Sequence, residues 1–175
     1  MELTYKGKTK DVYKLEDGNN LLVFKDNVTS SNGVFDPGAN VSELTIKDNG
    51  YYGLLMSEYF FKLFEQEGIK TQYVSSDMEN RTMTVKPVTF FGKGIEVICR
   101  LAATGSFMRR YGGYATEGQK LDYYTEISLK DDERGDPFIS EELLILFDIL
   151  KPGEYDIIKE MNIKITKIIE RELAQ

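Results

Sequence analysis

The sequence predicts an α+β fold with a sheet-rich first half and a mixed second half. Three observations carry that expectation. Short runs rich in Val, Leu, Tyr and Thr recur through residues 1–90, one helical pattern interrupts them between Tyr51 and Glu67, and two further helical stretches close the chain. At 175 residues and 41% hydrophobic composition, the chain has room for one domain or for two small lobes sharing a cleft.

The elements follow in order. "LTYKGKTKDVYKL" and "NNLLVFKD" flank Asp17-Gly18, a strong turn signal, and predict an antiparallel hairpin. "SSNGVFDPGAN" is dense in turn formers and reads as loop. In "YYGLLMSEYFFKLFEQEG", Tyr52, Leu55, Met56, Tyr59, Leu63 and Phe64 recur at helical spacings, which predicts an amphipathic helix packed on the sheet through these residues, with Gly68 as its stop. Strands resume with "KTQYV", "RTMTVKPV" and "GIEVICRLA"; after Ser106 comes a helical turn or two, and "DYYTEISL" is strand-like again. Helices are expected near 140–148 and 154–173. In the second, Tyr155, Ile158, Met161, Ile165, Ile168 and Ile169 form a stripe that needs a surface to lie against, either the core of this lobe or a partner segment.

Composition then removes whole classes of function. The chain contains no histidine, so Ser-His-Asp and Cys-His catalysis and imidazole-ligated zinc are excluded, and any metal must be held by oxygen, which favours Mg²⁺. The single cysteine, Cys99, lies in the apolar run "IEVIC" and reads as a structural thiol. A formal net charge of −7 argues against broad binding to DNA or RNA. No apolar run approaches the roughly 18 to 20 residues that span a bilayer, and "MELTYKGKTK" has no signal-peptide core, which points to a cytoplasmic protein without membrane partners.

Four stretches carry chemistry. In "YKGKTKDVY", Gly7 stands among Lys6, Lys8 and Lys10 at the bend between two strands, where backbone amides and ammonium groups can approach a polyphosphate; a solvated hairpin would look the same locally. In "TVKPVTFFGKG", a strand ends at Lys86-Pro87 and yields a connector whose backbone can meet a purine edge, or simply a strand end. "CRLAATGSFMRRYGG" gathers Arg100, Arg109 and Arg110 around Gly105 and Ser106. Guanidinium forks suit phosphate and carboxylate, so this stretch fits a phosphorylated small molecule, unless the arginines pair with some of the 29 acidic residues. "LKDDERGDPFI" reads as a mobile charged surface loop, solvated or able to close over a substrate.

In order, these stretches resemble the SAICAR synthetase family, phosphoribosylaminoimidazole-succinocarboxamide synthases of purine synthesis. The likeness is carried by "YKGKTKDVY", "LLVFKDNVTSSNGVFDPGAN", "FKLFEQEGI", "MTVKPV", "EVICRLAATGSFMRRYG" and "LKDDERGDP". It implies a two-lobed fold of ATP-grasp or kinase-like kind, with an antiparallel-sheet ATP-binding lobe at 1–88 and a mixed α/β substrate lobe at 89–175. It implies a C–N ligase that joins carboxyaminoimidazole ribonucleotide to L-aspartate using ATP and Mg²⁺. By this resemblance Gly7, Lys8, Lys10 and Val12 serve ATP, Lys86 lies beside adenine, and Arg100, Gly105, Ser106, Arg109 and Arg110 hold substrate. Lys130 and Asp136 lie on the closing loop, and Lys10, Arg100 and Lys130 are the candidate catalytic residues.

The family's pattern continues past a helix like 154–173 into a carboxylate-bearing segment that holds the metal, whereas this sequence stops at "IIERELAQ". The metal ligands are therefore unassigned. The resemblance implies a truncated synthetase with impaired catalysis, an enzyme completed by a second polypeptide, or a non-catalytic nucleotide-binding or interaction module, and it leaves open a homo-oligomer.

Overall fold

A computed structural model describes residues 1–35 and 41–174, with side chains at 41–43 excepted. The chain divides into two compact units, residues 1–88 and 89–175.

Unit 1 is built on a five-stranded antiparallel sheet of order β1-β2-β3-β8-β7. Its strands are β1 (Glu2–Lys6), β2 (Lys10–Lys14), β3 (Asn20–Phe24), β7 (Tyr73–Asp77) and β8 (Thr82–Val85). The Asp17-Gly18 turn forms as expected: Leu15 donates to the Asn19 carbonyl at 2.9 Å, and the Asp17 carboxylate accepts from the Asn19 amide at 3.0 Å. A three-stranded sheet, β5-β4-β6, accompanies it, with β4 (Asn27–Ser31), β5 (Val34–Phe35) and β6 (Val41–Thr45). This corrects part of the expected loop at "SSNGVFDPGAN". Asn32 and Gly33 have φ of 52° and 75°, the two positive values that a tight hairpin demands, so the chain reverses there and Ser30–Ser31 pair with Val34–Phe35. Positions 36–40 of that stretch lie outside the described residues.

Helix α1 (Asn49–Gln66) ends at Gly68, whose amide donates to Glu65 while that of Ile69 reaches back to Phe64. The expected buried stripe is wrong in its rotation. Leu54 is wholly buried and Phe61 packs beside it on Phe24, Met83 and Val85, whereas Tyr52, Leu55, Met56 and Tyr59 are exposed. The reason lies at the helix entry. The Asp26 carboxylate accepts from the Gly50 amide at 2.9 Å and the Asp48 amide at 3.3 Å, and Arg81 joins Asp26 at 2.8 Å to Asp48 at 2.7 Å. That anchor sets which side of an all-round apolar helix meets the sheet. The next strand also starts later than "KTQYV" suggests, because Thr71 bonds Glu65 at 2.8 Å and accepts from the Tyr73 amide, holding 70–72 in a turn.

Unit 2 is organised by a two-stranded antiparallel ribbon of β9 (Ile95–Ala102) and β10 (Lys120–Leu129). Between them lies α2 (Ser106–Tyr111), and after them α3 (Glu141–Leu146) and α4 (Glu154–Leu173). Alternation gives the ribbon two unlike faces. Ile95, Val97, Ile127 and Leu129 pack with Ile139, Leu144, Leu150 and Ile149, and Tyr155 and Ile158 of the α4 stripe join them. Ile168 is buried too, while Met161 is exposed. Cys99 is half-buried on the same side of β9 as Val97.

Candidate active site

The Gly7 loop turns β1 into β2. The Gly7 amide donates to the Lys10 carbonyl at 2.9 Å, and a Cβ at position 7 would stand 2.5 Å from that same oxygen, so only glycine fits. Lys25 pins the loop from β3's end, donating to the Gly7 carbonyl at 2.6 Å and to the Asp11 carboxylate at 2.8 Å. Lys8 lies at the tip. Lys10 and Val12 pair with Phe24 and Leu22, and Leu22 pairs with Met83, so all five share one face of the sheet. The Lys10 ammonium sits 5.0 Å from the centre of the Phe24 ring, and burial pulls its pKa below the ordinary lysine value.

Lys86 stands at the other end of the same strands, since Lys14 pairs with Asn20 and Asn20 with Val85. From Lys10 to Lys14 is roughly 14 Å at about 3.4 Å per residue, a distance comparable to an extended nucleoside triphosphate. The Lys86 amide is spent on the Gln72 carbonyl at 2.7 Å. Pro87 has no N–H, so the connector offers a ligand the Lys86 carbonyl and the Val88 amide.

In unit 2, Arg100 and Arg110 converge on one carboxylate. Arg100 approaches Glu126 Oε1 with Nε at 2.8 Å and Nη2 at 2.7 Å, and Arg110 Nη2 reaches the same oxygen at 2.5 Å. Glu126 is 2% exposed, and its Oε2 is buried without a hydrogen-bond partner among the described residues. Arg100 Nη2 also donates to the Ser106 hydroxyl at 2.7 Å. Gly105, at φ 55° and ψ −125°, turns the chain into α2 in front of this cluster. Two rings in tilted contact lie against it, Phe107, 5.9 Å from the Arg100 guanidinium, and Tyr111, 5.4 Å from that of Arg110. Partial burial is the largest single influence on Arg110 and opposes its charge, but the Glu126 bond and charge together with Tyr111 outweigh it and hold the pKa above the ordinary arginine value. Arg109 does not join the cluster: it is exposed on the next position of α2.

Lys130 and Asp136 form a separate group. The Lys130 ammonium contacts Asp132 at 2.5 Å, Glu96 at 3.2 Å and Asp136 at 3.2 Å, chiefly the first of which holds its pKa above the ordinary value. Asp136 also accepts from the Asp131 amide at 2.8 Å, and Arg134 pairs with Asp131 at 2.6 Å. The stretch read as a mobile loop is thus cross-tied by its own charges.

Lys25 and Glu126 escaped the sequence reading, as did the acidic partners Asp11, Glu96 and Asp132. The signal for Glu126 was present. "IEVICR" and "TEISLK" alternate, so Glu96 and Arg100 on β9, Glu126 on β10 and Lys130 just past its end share the polar face once the two strands pair. The arginines are paired with an acidic residue, as the bland reading held. Two guanidinium charges against one carboxylate still leave a net positive charge.

A lysine-glycine hairpin and a guanidinium pair of this kind suit a protein that handles phosphate-bearing anions. Comparison with known proteins agrees. Residues 3–175 match the family described as SAICAR synthetase, and this chain belongs to that family. It is 54% identical over 175 residues to the phosphoribosylaminoimidazole-succinocarboxamide synthase of Clostridium tetani, covering 100% of this chain and 77% of that protein. It is 35% identical over 172 residues to the enzyme of the same name from Finegoldia magna, covering 97% and 69%. Among solved structures, a SAICAR synthetase in complex with ADP superposes with a TM-score of 0.82 at 27% identity, covering 97% of this chain and 68% of that one. The synthase from Ehrlichia chaffeensis gives 0.81 at 29% identity, covering 96% and 67%.

Proposed function

We propose that this chain is an ATP-dependent ligase of purine biosynthesis that joins carboxyaminoimidazole ribonucleotide to the amine of L-aspartate, giving SAICAR, ADP and phosphate. The observation that carries the reading is the match of this whole chain to 77% of a named synthetase, together with the Arg100–Ser106 pair in the matching segment. The ribonucleotide carboxylate takes the γ-phosphoryl group of ATP, releasing ADP. The aspartate nitrogen then attacks the acyl phosphate carbon, loses a proton, and phosphate departs. Little covalent work falls to the protein, so positioning and positive charge dominate.

In this reading unit 1 is the ATP-binding lobe and unit 2 the substrate lobe. Gly7, Lys8 and Lys10 meet the triphosphate, Val12 lies against the base, and Lys86 presents its carbonyl to the adenine edge. The span from Lys10 to the Lys86 end of the sheet supports that division. Arg100 and Ser106 hold the ribonucleotide, with Gly105 giving close backbone approach and Arg110 adding charge. Arg109, exposed beside them, serves the phosphate or the aspartate carboxylates. Lys130 exchanges one of its carboxylate partners for an aspartate carboxylate, and Asp136 accepts from the aspartate amine.

Mg²⁺ accompanies ATP in this reading. Among the described residues no group of three or more Asp, Glu, Cys or His side chains stands together to hold a metal, so no step here depends on a protein-held ion. No helix of the described residues is long and apolar enough to cross a membrane. The proposed setting is the cytoplasm, with small-molecule partners and neither nucleic acid nor membrane. A homo-oligomer or a complementing C-terminal segment remains part of the same proposal.

The test is ADP release from ATP, Mg²⁺ and the ribonucleotide, with and without L-aspartate. Turnover that needs both co-substrates is expected. Binding of ATP and ribonucleotide without turnover would instead mark a nucleotide-binding module, and ADP release indifferent to aspartate would mark a phosphotransferase.

A further inference from the structure

Glu126 occupies an expensive place. It is a carboxylate buried within β10, next to Ile127 of the apolar core, and one of its two oxygens has no hydrogen-bond partner among the described residues. A buried acceptor left unsatisfied costs free energy, and an apolar residue at this position would avoid that cost. What the carboxylate achieves is visible on its other oxygen, which accepts from Arg100 Nε and Arg110 Nη2 and stands 2.7 Å from Arg100 Nη2.

We propose that Glu126 is the positioning residue of the arginine site, holding Arg100 and Arg110 as one pre-oriented pair for the anionic groups of the ribonucleotide. This rests on the reading of Arg100 as a substrate ligand and adds to it the residue that sets its geometry. Arg100 spends Nε on Glu126 and Nη2 on Glu126 and Ser106, which leaves both N–H groups of Nη1 unspent among the described residues. A guanidinium fixed along one edge presents the opposite corner to a ligand without further loss of side-chain freedom. Glu126 is too buried to touch substrate itself. It also sets the charge: two guanidiniums and one carboxylate leave a single net positive charge, matched to one phosphate or carboxylate rather than to a polyanion.

The experiment measures direct binding of carboxyaminoimidazole ribonucleotide and of ATP to the full chain and to three variants. Glu126→Gln keeps the shape and removes the charge. Glu126→Asp keeps the charge and withdraws it by one methylene. Arg100→Ala tests the underlying site. Positioning predicts that Glu126→Gln loses roughly tenfold or more in ribonucleotide affinity, that Glu126→Asp falls between it and the parent, and that ATP affinity is unchanged in both. The Arg100 Nε–H resonance, slow to exchange in the parent, loses its protection in Glu126→Gln. If Glu126→Gln binds the ribonucleotide as well as the parent or more tightly while Arg100→Ala loses it, the inference is overturned and the substrate site stands. If Arg100→Ala binds normally, the functional reading of the site fails first. Loss of ATP binding along with ribonucleotide binding in both Glu126 variants overturns the inference as well, since it marks a residue that serves the fold as a whole.

Discussion

The Lys10 ammonium lies 5.0 Å from the centre of the Phe24 ring, half-withdrawn from water at the mouth of the Gly7 loop. Burial depresses its pKa, so the folded chain is penalised for carrying this charge at neutral pH. The sign is clear: with a folded value below the unfolded one, the penalty is present at pH 7 and is relieved only as pH rises through the folded pKa. Lys10→Met keeps the stem over Phe24 and removes the charge. Expected are a higher melting temperature and ATP binding weaker by roughly ten- to a hundredfold. Thermal melts and ATP titration on the same samples check both; a Lys10→Met chain that binds ATP as the parent does would remove Lys10 from the nucleotide site.

Gly7→Ala attacks the same loop through its backbone. The added Cβ would meet the Lys10 carbonyl at 2.5 Å, a contact that real Cβ atoms do not make, so the turn must shift and take Lys10 with it. Such overpacking costs about 1–3 kcal/mol. The prediction is a loss of stability of that order by denaturant titration, with weaker ATP binding and unchanged ribonucleotide binding. A change in ribonucleotide binding alone would contradict the division of labour between the two units.

The Lys130 ammonium bridges the carboxylates of Glu96, Asp132 and Asp136. Lys130→Met removes that shared cation, and the uncompensated repulsion among the carboxylates should open the 131–136 turn. Limited proteolysis reads this directly: faster cleavage within 131–136 at pH 7, suppressed at high salt as the repulsion is screened. Equal cleavage rates in parent and variant would show that the backbone bonds of the loop, not Lys130, hold it.

Asp26 anchors the start of α1. The Gly50 amide holds its carboxyl below the ordinary range, with Arg81 adding to the effect against desolvation. A depressed carboxylate contributes stability above its unfolded pKa of about 3.9, which is lost as pH falls through the folded value. Asp26→Asn should therefore melt earlier than the parent at pH 7, with the gap closing below about pH 4. A gap that persists undiminished into acid would mean that the side-chain shape, not the charge, fixes the helix entry.

Local chemistry was read correctly where neighbours in the chain decide it. The Asp17-Gly18 hairpin, the Gly68 stop of α1 and the end of β8 before Lys86-Pro87 all formed where spacing placed them, and the α4 stripe packs through Tyr155, Ile158 and Ile168 but leaves Met161 exposed. The Asn32-Gly33 hairpin was equally local and was passed over because the surrounding residues read as loop. The rotation of α1 was not legible at all, since apolar residues surround that helix and only the bonds from Asp26, more than twenty residues away, select Leu54 for the core.

The candidate site divides in the same way. By itself the sequence determined the fold class, the exclusion of histidine chemistry and the residues around Gly7 and Arg100, because each depends on residue type and short spacing. Only the tertiary structure decided that Arg100 and Arg110 share Glu126, 26 and 16 residues along the chain, and that Lys130 is caged by carboxylates. Those partners meet because β9 and β10 pair, and strand pairing is a contest between distant segments over backbone hydrogen bonds and a common apolar face. No window of neighbouring residues contains that competition.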